Sequence, residues 1–327
     1  MNNETLPFPT VPYRGIEHYR FVDHPIFFAR QAETLELLRS VMIFKGMVLF
    51  GGSSVGKSSL INAGLLPQII ERGLVPDRIR VQNRPGGEIV IERISINDNG
   101  KTPYLSPSLV ETIAKDPPRR VVLSLDQFRK YLYAHVKNNY SLLVLDQFEE
   151  IITLFEEIRP EAGLLTETLK RQESLIDFLV GILHDDSLGV KVLFSFREDY
   201  LAKLTKLFLR APELTAHYMR LILPQKKALK DIITLPLGEE LQAHYGRQKM
   251  FSDRLINQIT AEFDQRTEGD AINLSEVQIV CLELWETDNP DELFEKRHVQ
   301  GLLEDCLTKE LNEFSDKQRD LAIVVHP

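Results

Sequence analysis

The sequence contains few cysteines, no long apolar run and no excess of basic residues. Its two cysteines, Cys281 and Cys306, are too few for a disulfide framework or a cysteine metal site. No run of about 18 apolar residues occurs, and residues 1–13 are polar and contain prolines instead of the apolar segment of a signal peptide. We therefore expect a cytoplasmic protein with no membrane-spanning segment.

The charge balance bears on the possible partners. The 39 Lys and Arg residues are outnumbered by 48 Asp and Glu residues, which gives a net charge of -9. Binding to duplex nucleic acid depends mainly on neutralising phosphates with basic side chains, so this balance argues against nucleic acid as the main partner. A hydrophobic content of 43% and a charged content of 27% are typical of a soluble globular protein, and 327 residues indicate about two domains.

The most specific motif follows the short apolar run at residues 47–50. Residues 51–58, Gly-Gly-Ser-Ser-Val-Gly-Lys-Ser, match the pattern G-x-x-x-x-G-K-[S/T] at every specified position. A strand that ends in such a loop and opens into a helix directs several backbone N–H groups at one point, which predicts a polyphosphate site. Lys57 would reach the β- and γ-phosphates, and Ser58 would hold Mg²⁺. The other candidate nucleotide-binding residues of this loop are Gly51, Ser53, Ser54, Val55, Gly56 and Ser59.

The tetrapeptide Leu-Asp-Gln-Phe occurs twice, around Asp126 and around Asp146, and only one copy can end the metal-binding strand. Around Asp126, apolar residues recur at spacings of three and four, which is the period of an amphipathic helix. The copy with Asp146 follows the unbroken apolar run 142–145, as expected for a parallel strand buried on both faces. We therefore place Asp126 on a helix surface and assign Asp146, with Ser58, to the Mg²⁺ site.

Short apolar runs alternate with helical patterns up to about residue 225. This alternation predicts an α/β fold with a central parallel sheet of about five strands flanked by helices, and with ligands at the carboxyl ends of the strands. Residues 97–118, with four prolines, are predicted to form a long surface loop. After residue 225 the pattern is helical, which predicts a smaller all-α domain. The predicted strands lie at residues 47–50, 79–82, 142–145, 190–196 and 221–223.

Hydrolysis of a nucleoside triphosphate also requires a polarised water molecule, and two carboxylates are candidates for that role. Glu149 and Glu150 directly follow the predicted strand, and either could act as general base; we place Glu150 first. The alternative explanation for both is a pair of solvated helix-cap acids. About 90 residues separate Lys57 from Asp146, which leaves room for one extra strand. That spacing is typical of the P-loop branch with an added central strand and a catalytic glutamate.

Arg197 follows the predicted strand at 190–196, so it would lie at the same edge of the sheet. It could sense the γ-phosphate and stabilise the developing charge, or it could form only an ion pair with Glu198 or Asp199. No guanine-specific Asn/Thr-Lys-x-Asp stretch occurs, so ATP, with Mg²⁺, is the expected nucleotide.

Several segments together resemble the signal transduction ATPases with numerous domains, known as STAND ATPases, and in particular a bacterial group of them. Residues 12–16 are similar to that group's Pro-Tyr-x-Gly-Leu, and residues 27–33 to its Phe-Phe-Gly-Arg-x-x-Glu. In the second segment Ala29 stands where glycine is usual, and Arg30 corresponds to an arginine that helps hold the nucleotide. The other similar segments are the phosphate-binding loop with its continuation to Pro67, Asp146 to Glu150, Phe196 to Leu201, and Val277 to Trp285.

The resemblance covers about residues 12–320 and implies a domain organisation. It predicts an extended leader at residues 1–25, a P-loop NTPase core at 26–225, a helical lid at 226–297 and the start of a winged helix at 298–327. In the family, sensor domains follow the winged helix and effector domains occur at either end. The chain is therefore expected to be the motor module alone, with sensor and effector domains or partner proteins outside it.

The resemblance also implies a function. It predicts a slowly hydrolysing ATP switch that is closed with ADP and forms a homo-oligomer with ATP, in bacterial signalling or anti-phage defence. The alternative is an ATPase of the AAA+ or replication-initiator kind, whose winged helix would contact DNA. A nucleotide scaffold without hydrolysis is a third hypothesis.

Overall fold

A computed structural model describes most of the chain. It describes residues 9–84, 88–94, 121–136, 141–151, 162–246, 249–266 and 269–313. The predicted surface loop at 97–118, the first part of the predicted leader and residues 314–327 of the predicted winged helix lie outside the described residues.

A seven-stranded sheet forms the centre of the described part of residues 26–225. Its order is β4-β3-β2-β5-β6-β1-β7. The five strands β2, β5, β6, β1 and β7 pair in parallel, whereas β3 pairs antiparallel with both β2 and β4. The strands are β1 (Gly46–Gly51), β2 (Val75–Arg84), β3 (Glu88–Ile94), β4 (Val121–Ser124), β5 (Ser141–Leu145), β6 (Val190–Arg197) and β7 (Tyr218–Arg220).

The predicted five-stranded parallel sheet is confirmed, and two strands at one edge were missed. The interval between Lys57 and Asp146 contains β2, β3 and β4 rather than a single extra strand. The sequence analysis found only the central part of β2, at residues 79–82, because charged residues interrupt its apolar pattern. Strand β3 carries only the run Ile89 to Ile91 between charged residues, so it lacks the continuous apolar signal of a buried parallel strand.

The last predicted strand was misplaced. It was expected at residues 221–223, but β7 is Tyr218–Arg220. Leu221 still donates its backbone N–H to Phe50 O at 2.8 Å, after which the ladder stops. The carbonyl of Ile222 accepts instead from the Arg30 side chain at 2.8 Å, so a side chain replaces the neighbouring strand as its partner.

Helices cover the sheet and form the second part of the molecule. The helix after the phosphate-binding loop contains a π-helical turn, Leu60–Leu65, and Pro67 lies in the first turn of α3, where a proline is tolerated. The α-helices are α1 (Gln31–Ile43), α2 (Lys57–Ser59), α3 (Leu66–Glu71), α4 (Leu125–Val136), α5 (Ala162–His184), α6 (Thr205–Arg210), α7 (Leu229–Thr234), α8 (Glu239–Gln242), α9 (Asp253–Arg266), α10 (Leu274–Glu286) and α11 (Pro290–Glu313).

An aromatic core packs α4 and α5 against the sheet. Phe128 of α4 meets Phe178 of α5 edge-on, with ring centroids 6.0 Å apart. Phe194 of β6 meets Phe148, just after β5, in the same way at 5.1 Å. All four rings are buried, so the strand ends that carry the candidate site rest on a close-packed base.

The chain divides into two compact units. The described residues of Tyr19–His24 and Arg30–Ile222 form the first unit, and residues 9–18, 25–29 and 223–313 belong to the second. The second unit is built mainly from α7 to α11, as the helical pattern after residue 225 predicts. The segment predicted as a single leader is thus shared between the two units.

The leader is anchored in the second unit by a buried tyrosine. Tyr13 is fully buried, its hydroxyl donates to Ile233 O, and its ring stacks on Phe251 with centroids 6.2 Å apart. The backbone N–H of Arg14 donates to Gln278 Oε1 at 3.0 Å. Because a buried aromatic side chain contributes a large apolar area, this short extended segment is an integral part of the helical unit.

Helix α11 contains a backbone break at His298, with φ 53° and ψ -177°. Glu262 of α9 accepts from the backbone N–H of Val299 at 2.9 Å and lies 3.2 Å from His298 Nδ1, so it caps the second half of the helix. The predicted boundary of the winged helix falls at the same residue. The winged helix itself stays a prediction.

Ala29, which directly precedes Arg30, provides a test of the backbone conformation at this point of the chain. Its φ is +60°, a left-handed conformation that is disfavoured by about 1 kcal/mol for a residue with a Cβ. We expect Ala29→Gly to raise the free energy of unfolding by about 1 kcal/mol, measured by urea denaturation. The matched control is Ala32→Gly in the exposed first turn of α1, which should lower it by about 1 kcal/mol. Equal destabilisation by both variants would contradict the left-handed assignment.

Candidate active site

Three parallel strands bring the candidate residues to one edge of the sheet. Strand β6 lies between β1 and β5, with Gly51 in register with Arg197 and Leu145 in register with Phe194. The phosphate-binding loop, Asp146 and Arg197 therefore all leave the carboxyl ends of adjacent strands, where α/β proteins bind ligands. The additional central strand, between the strand of the phosphate-binding loop and the strand that precedes Asp146, is β6. It follows Asp146 in the sequence, so it does not come from the interval between Lys57 and Asp146.

The backbone of the phosphate-binding loop is shaped by close approach and by left-handed residues. A Cβ on Gly51 would lie 2.2 Å from Leu221 O, so only glycine fits there. Ser54 and Gly56 have φ of 57° and 91°, and these two conformations turn the chain into the helix that begins at Lys57. The result is a compact backbone cradle at a helix start, of the kind that suits a phosphate group.

Lys57 lies at this loop with its charge near two carboxylates. Its Nζ donates to Gly51 O at 2.9 Å and to Gly52 O at 2.7 Å. Burial lowers the pKa of Lys57 from its ordinary value, and the charges of Glu149 and Asp146 oppose that shift. The ammonium group is thus held at the loop by carbonyl oxygens, which phosphate oxygens could replace as acceptors.

Ser58 and Asp146 form an oxygen pair suited to a magnesium ion. The Ser58 hydroxyl lies 3.2 Å from Asp146 Oδ2 and 3.4 Å from Oδ1, and the backbone N–H of Gln147 donates to Oδ1 at 3.1 Å. Asp146 is buried, and hard oxygen donors of this kind are the ligands that Mg²⁺ prefers. Among the described residues no group of three or more His, Cys, Asp or Glu side chains offers another metal site.

The two Leu-Asp-Gln-Phe copies adopt the two predicted structures. Asp126 lies in the first turn of α4, where its side chain is 85% exposed and 3.8 Å from Arg129. Asp146 follows β5, and its side chain is 2% exposed. The period of the surrounding apolar residues therefore separated the exposed helix copy from the buried copy that follows a strand, and the assignment of Asp146 to the metal site stays a prediction.

The structure adds one buried charge that sequence reasoning missed. Arg78 of β2 places Nη2 3.1 Å from Asp146 Oδ2, and its side chain is 5% exposed. Strand β2 pairs in parallel with β5, with Arg78 opposite Val144, two residues before Asp146. No sequence motif marks this arginine, since its position depends on the pairing of strands that are distant in the chain.

Glu149 is a half-buried carboxylate that interacts electrostatically with Lys57. Burial lowers the pKa of Lys57, and the negative charge of Glu149 opposes that shift. Burial raises the pKa of Glu149, while its own N–H, the charge of Lys57 and the N–H of Arg197 act in the opposite direction. Its buried Oε2 has no hydrogen-bond partner among the described residues, so one acceptor oxygen is free at the site. Glu150 follows it at the start of a helical turn and is half-buried.

Arg197 forms one of the ion pairs considered from the sequence, and its role at the γ-phosphate stays a prediction. Its guanidinium forms an ion pair with Asp199, and its charge also lowers the pKa of Lys57. Glu198 pairs instead with Arg220 of β7, at 2.9 Å. The ion pair with Asp199 therefore holds an arginine whose field reaches the phosphate-binding loop.

The Arg30 side chain supports the phosphate-binding loop by binding to a backbone carbonyl of the loop. Its Nη2 donates to Val55 O at 3.0 Å and to Ile222 O at 2.8 Å, and its Nη1 donates to Glu33 at 2.6 Å. The side chain is 5% exposed, so these protein acceptors surround it. Arg30 thus connects the loop to the chain segment that follows β7.

The serines of the loop differ in their surroundings. Ser53 and Ser54 are exposed at the tip of the loop. The hydroxyl of Ser59 instead accepts from the backbone N–H of Tyr19 at 3.1 Å, which attaches the leader to the start of the helix. Of the three, Ser59 is therefore already used in an internal contact.

Comparison with known proteins identifies the family. The family model of novel STAND NTPase 1 matches residues 12–322. The chain belongs to the nSTAND1 family. It is accordingly a nucleoside-triphosphate hydrolase with a P-loop NTPase core, as the site geometry indicates. A search of the curated proteins found no match.

One solved structure shows the same fold at low sequence identity. The Walker-type ATPase PABY2304 of Pyrococcus abyssi has a TM-score of 0.53 and 11% identity, with 93% of this chain and 79% of that chain covered. The ORC2 protein of Aeropyrum pernix, in ADPNP and ADP complexes, has a TM-score of 0.43 and 17% identity, with 88% and 71% covered. In the described part of the nSTAND1 chain, no helix is both long and apolar enough to cross a membrane.

The two Leu-Asp-Gln-Phe copies provide a matched pair of variants. Asp146→Asn removes the buried charge that faces Ser58, so we expect nucleotide turnover to fall about 100-fold or more. Asp126→Asn makes the same change in the same tetrapeptide on an exposed helix, so turnover should stay within about twofold of wild type. Phosphate release at saturating nucleotide measures both. Loss of turnover in Asp126→Asn alone would mean that the wrong copy has been assigned to the site.

Proposed function

We propose that this nSTAND1 chain is a slowly hydrolysing ATP switch in which the phosphate-binding loop controls the helical unit. The observation that carries the proposal is the position of Arg30, which bonds to Val55 O of the loop and to Ile222 O. The chain passes from the second unit to the first at Arg30 and returns to the second after Ile222. The buried guanidinium of Arg30 thus links the loop to two of the positions at which the chain passes from one unit to the other.

Lys57, Ser58 and Asp146 would hold the nucleotide and its metal. Lys57 offers a charged donor at the loop, and Ser58 and Asp146 offer oxygen ligands. A bound Mg²⁺ would neutralise phosphate charge. Arg197, held by Asp199, would face the negative charge that develops on the phosphate oxygens.

Glu149 is our candidate for the general base, in place of Glu150, which the sequence analysis placed first. A general base needs a free acceptor oxygen at the site and a pKa shifted toward the working pH. The buried Oε2 of Glu149 has no hydrogen-bond partner in the described part of the chain, the pKa of Glu149 is raised, and its charge acts on Lys57. Glu150 has an interaction of its own and lies one residue farther along the chain.

Neighbouring isosteric variants test this choice. Glu149→Gln removes the acceptor for the proton of water, so turnover should fall about 100-fold or more while nucleotide binding is retained. Because burial raises the pKa of Glu149, the folded state disfavours its ionised form, and the variant should not be less stable at neutral pH. Glu150→Gln is the control and should keep turnover within about threefold. The reverse ranking in a single-turnover assay would assign the role to Glu150.

The switch requires ATP and ADP to have different affinities for two arrangements of the chain. The Arg30 side chain donates to acceptors in the loop, in α1 and in the segment after β7. Because the same Nη2 donates to Val55 O and to Ile222 O, a displacement of Val55 O changes the hydrogen bonding of Ile222 O. We propose that ADP favours a closed helical unit and ATP an open form that self-associates. Bacterial signalling or anti-phage defence, with sensor and effector domains or partner proteins, is the biological role that we propose.

Size-exclusion chromatography tests the switch. We expect the wild type to elute as a monomer with ADP and as a dimer or larger with ATP or a slowly hydrolysed analogue. Lys57→Ala removes the charged donor of the loop and should elute identically with all three nucleotides. Arg30→Lys should bind nucleotide but lose the difference between ATP and ADP, since a lysine cannot supply the same planar set of donors.

Two outcomes would contradict the switch. The first is a wild type that binds both nucleotides and elutes identically with them at all protein concentrations. The second is strong stimulation of turnover by duplex DNA, which would favour an initiator-like ATPase instead. Absence of nucleotide-dependent thermal stabilisation in the wild type would contradict the nucleotide site itself, because a ligand at 100 times its Kd stabilises a protein by about 2.7 kcal/mol.

A further inference from the structure

The ion pair between Arg78 and Asp146 lies in the interior of the sheet. The two side chains are 5% and 2% exposed, and Arg78 Nη2 is 3.1 Å from Asp146 Oδ2. Arg78 Nε is buried and has no hydrogen-bond partner among the described residues. A buried donor without a partner is unfavourable. Hydrogen bonding alone therefore does not explain why Arg78 is buried at this position.

The same carboxylate is the one that would face the metal. Asp146 Oδ2 has both Arg78 Nη2 and the Ser58 hydroxyl near it, and Oδ1 accepts from the backbone N–H of Gln147 at 3.1 Å. Arg78 therefore already supplies one positive charge to Asp146. Without nucleotide, a divalent cation that approached Asp146 would meet a carboxylate already paired with Arg78, and the positive charge of Lys57 lies at the adjacent loop.

From this geometry we propose that Arg78 is a positioning residue that makes the metal site depend on nucleotide. Arg78 acts as the internal counter-ion of Asp146, so the carboxylate is ordered and its charge is balanced before ligands bind. Because this charge is already balanced, free Mg²⁺ binds weakly. Mg²⁺ binds well only with nucleotide phosphates, whose negative charge offsets the added cation. This inference rests on the proposed nucleotide site and adds the order in which its ligands bind.

Charge removal at Arg78 gives the direct test. We measure Mn²⁺ binding to the nucleotide-free protein by electron paramagnetic resonance, using wild type, Arg78→Gln, Arg78→Lys and the double variant Arg78→Gln/Asp146→Asn. Arg78→Gln should bind Mn²⁺ about tenfold or more tightly than wild type, because the carboxylate loses its counter-ion. Arg78→Lys keeps the charge and should resemble wild type, and the double variant should lose the gained site.

A purely structural arginine predicts a different pattern. In that case Arg78→Gln would be less stable, but its Mn²⁺ affinity without nucleotide would equal that of the wild type, and this result would overturn the proposal. If Arg78→Gln does not fold alone, refolding in the presence of Mn²⁺ should recover it, and the double variant should fold without metal. Failure of Mn²⁺ to recover the fold would also overturn the proposal.

Failure of this inference can be distinguished from failure of the proposed function. Binding of a fluorescent ADP analogue with Mg²⁺ to wild type and to Lys57→Ala tests the nucleotide site without using Arg78. A wild type that binds nucleotide, together with an Arg78→Gln variant of unchanged Mn²⁺ affinity, would contradict only the role of Arg78. A wild type that does not bind nucleotide would contradict the proposed function.

Discussion

The parallel pairing of β6 with both β1 and β5 is the constraint on which the rest of the site depends. Backbone hydrogen bonds place Gly51 opposite Arg197 and Leu145 opposite Phe194, and the side chains that follow these strands inherit that register. A shift of one residue would move each site side chain to the other face of the sheet. The aromatic core beneath β5 and β6 makes such a shift costly, so rigid packing holds polar groups in place for chemistry.

Buried charge at this edge is balanced rather than avoided. Asp146 is compensated by Arg78 inside the sheet, while Lys57 lies near Glu149 and Asp146 at the loop. Burying a single charge without a partner would be strongly unfavourable, so each of these groups depends on the others. The raised pKa of Glu149 follows from the same desolvation. The burial of charged groups at this site therefore affects both the stability of the fold and the pKa of Glu149.

Within the first unit, the phosphate-binding loop and the helix after it are held to neighbouring segments through backbone groups rather than through a sequence motif. Arg30 binds to Val55 O and Ile222 O, and Ser59 accepts from the backbone N–H of Tyr19. Tyr19 belongs to the first unit, whereas Tyr13, a few residues earlier, is buried in the second. The leader thus contributes residues to both compact units.

The sequence by itself determined the phosphate-binding loop, the five-stranded parallel sheet, the helical pattern after residue 225 and the choice between the two Leu-Asp-Gln-Phe copies. These features depend on local spacing, because a loop motif and a hydrophobic period are written in consecutive residues. Only the tertiary structure revealed the counter-ion Arg78, the Glu149 oxygen that has no hydrogen-bond partner among the described residues, and the burial of Tyr13 in the helical unit. Each of these depends on groups brought together by strand pairing or packing across long sequence separations, for which a single sequence contains no local signal.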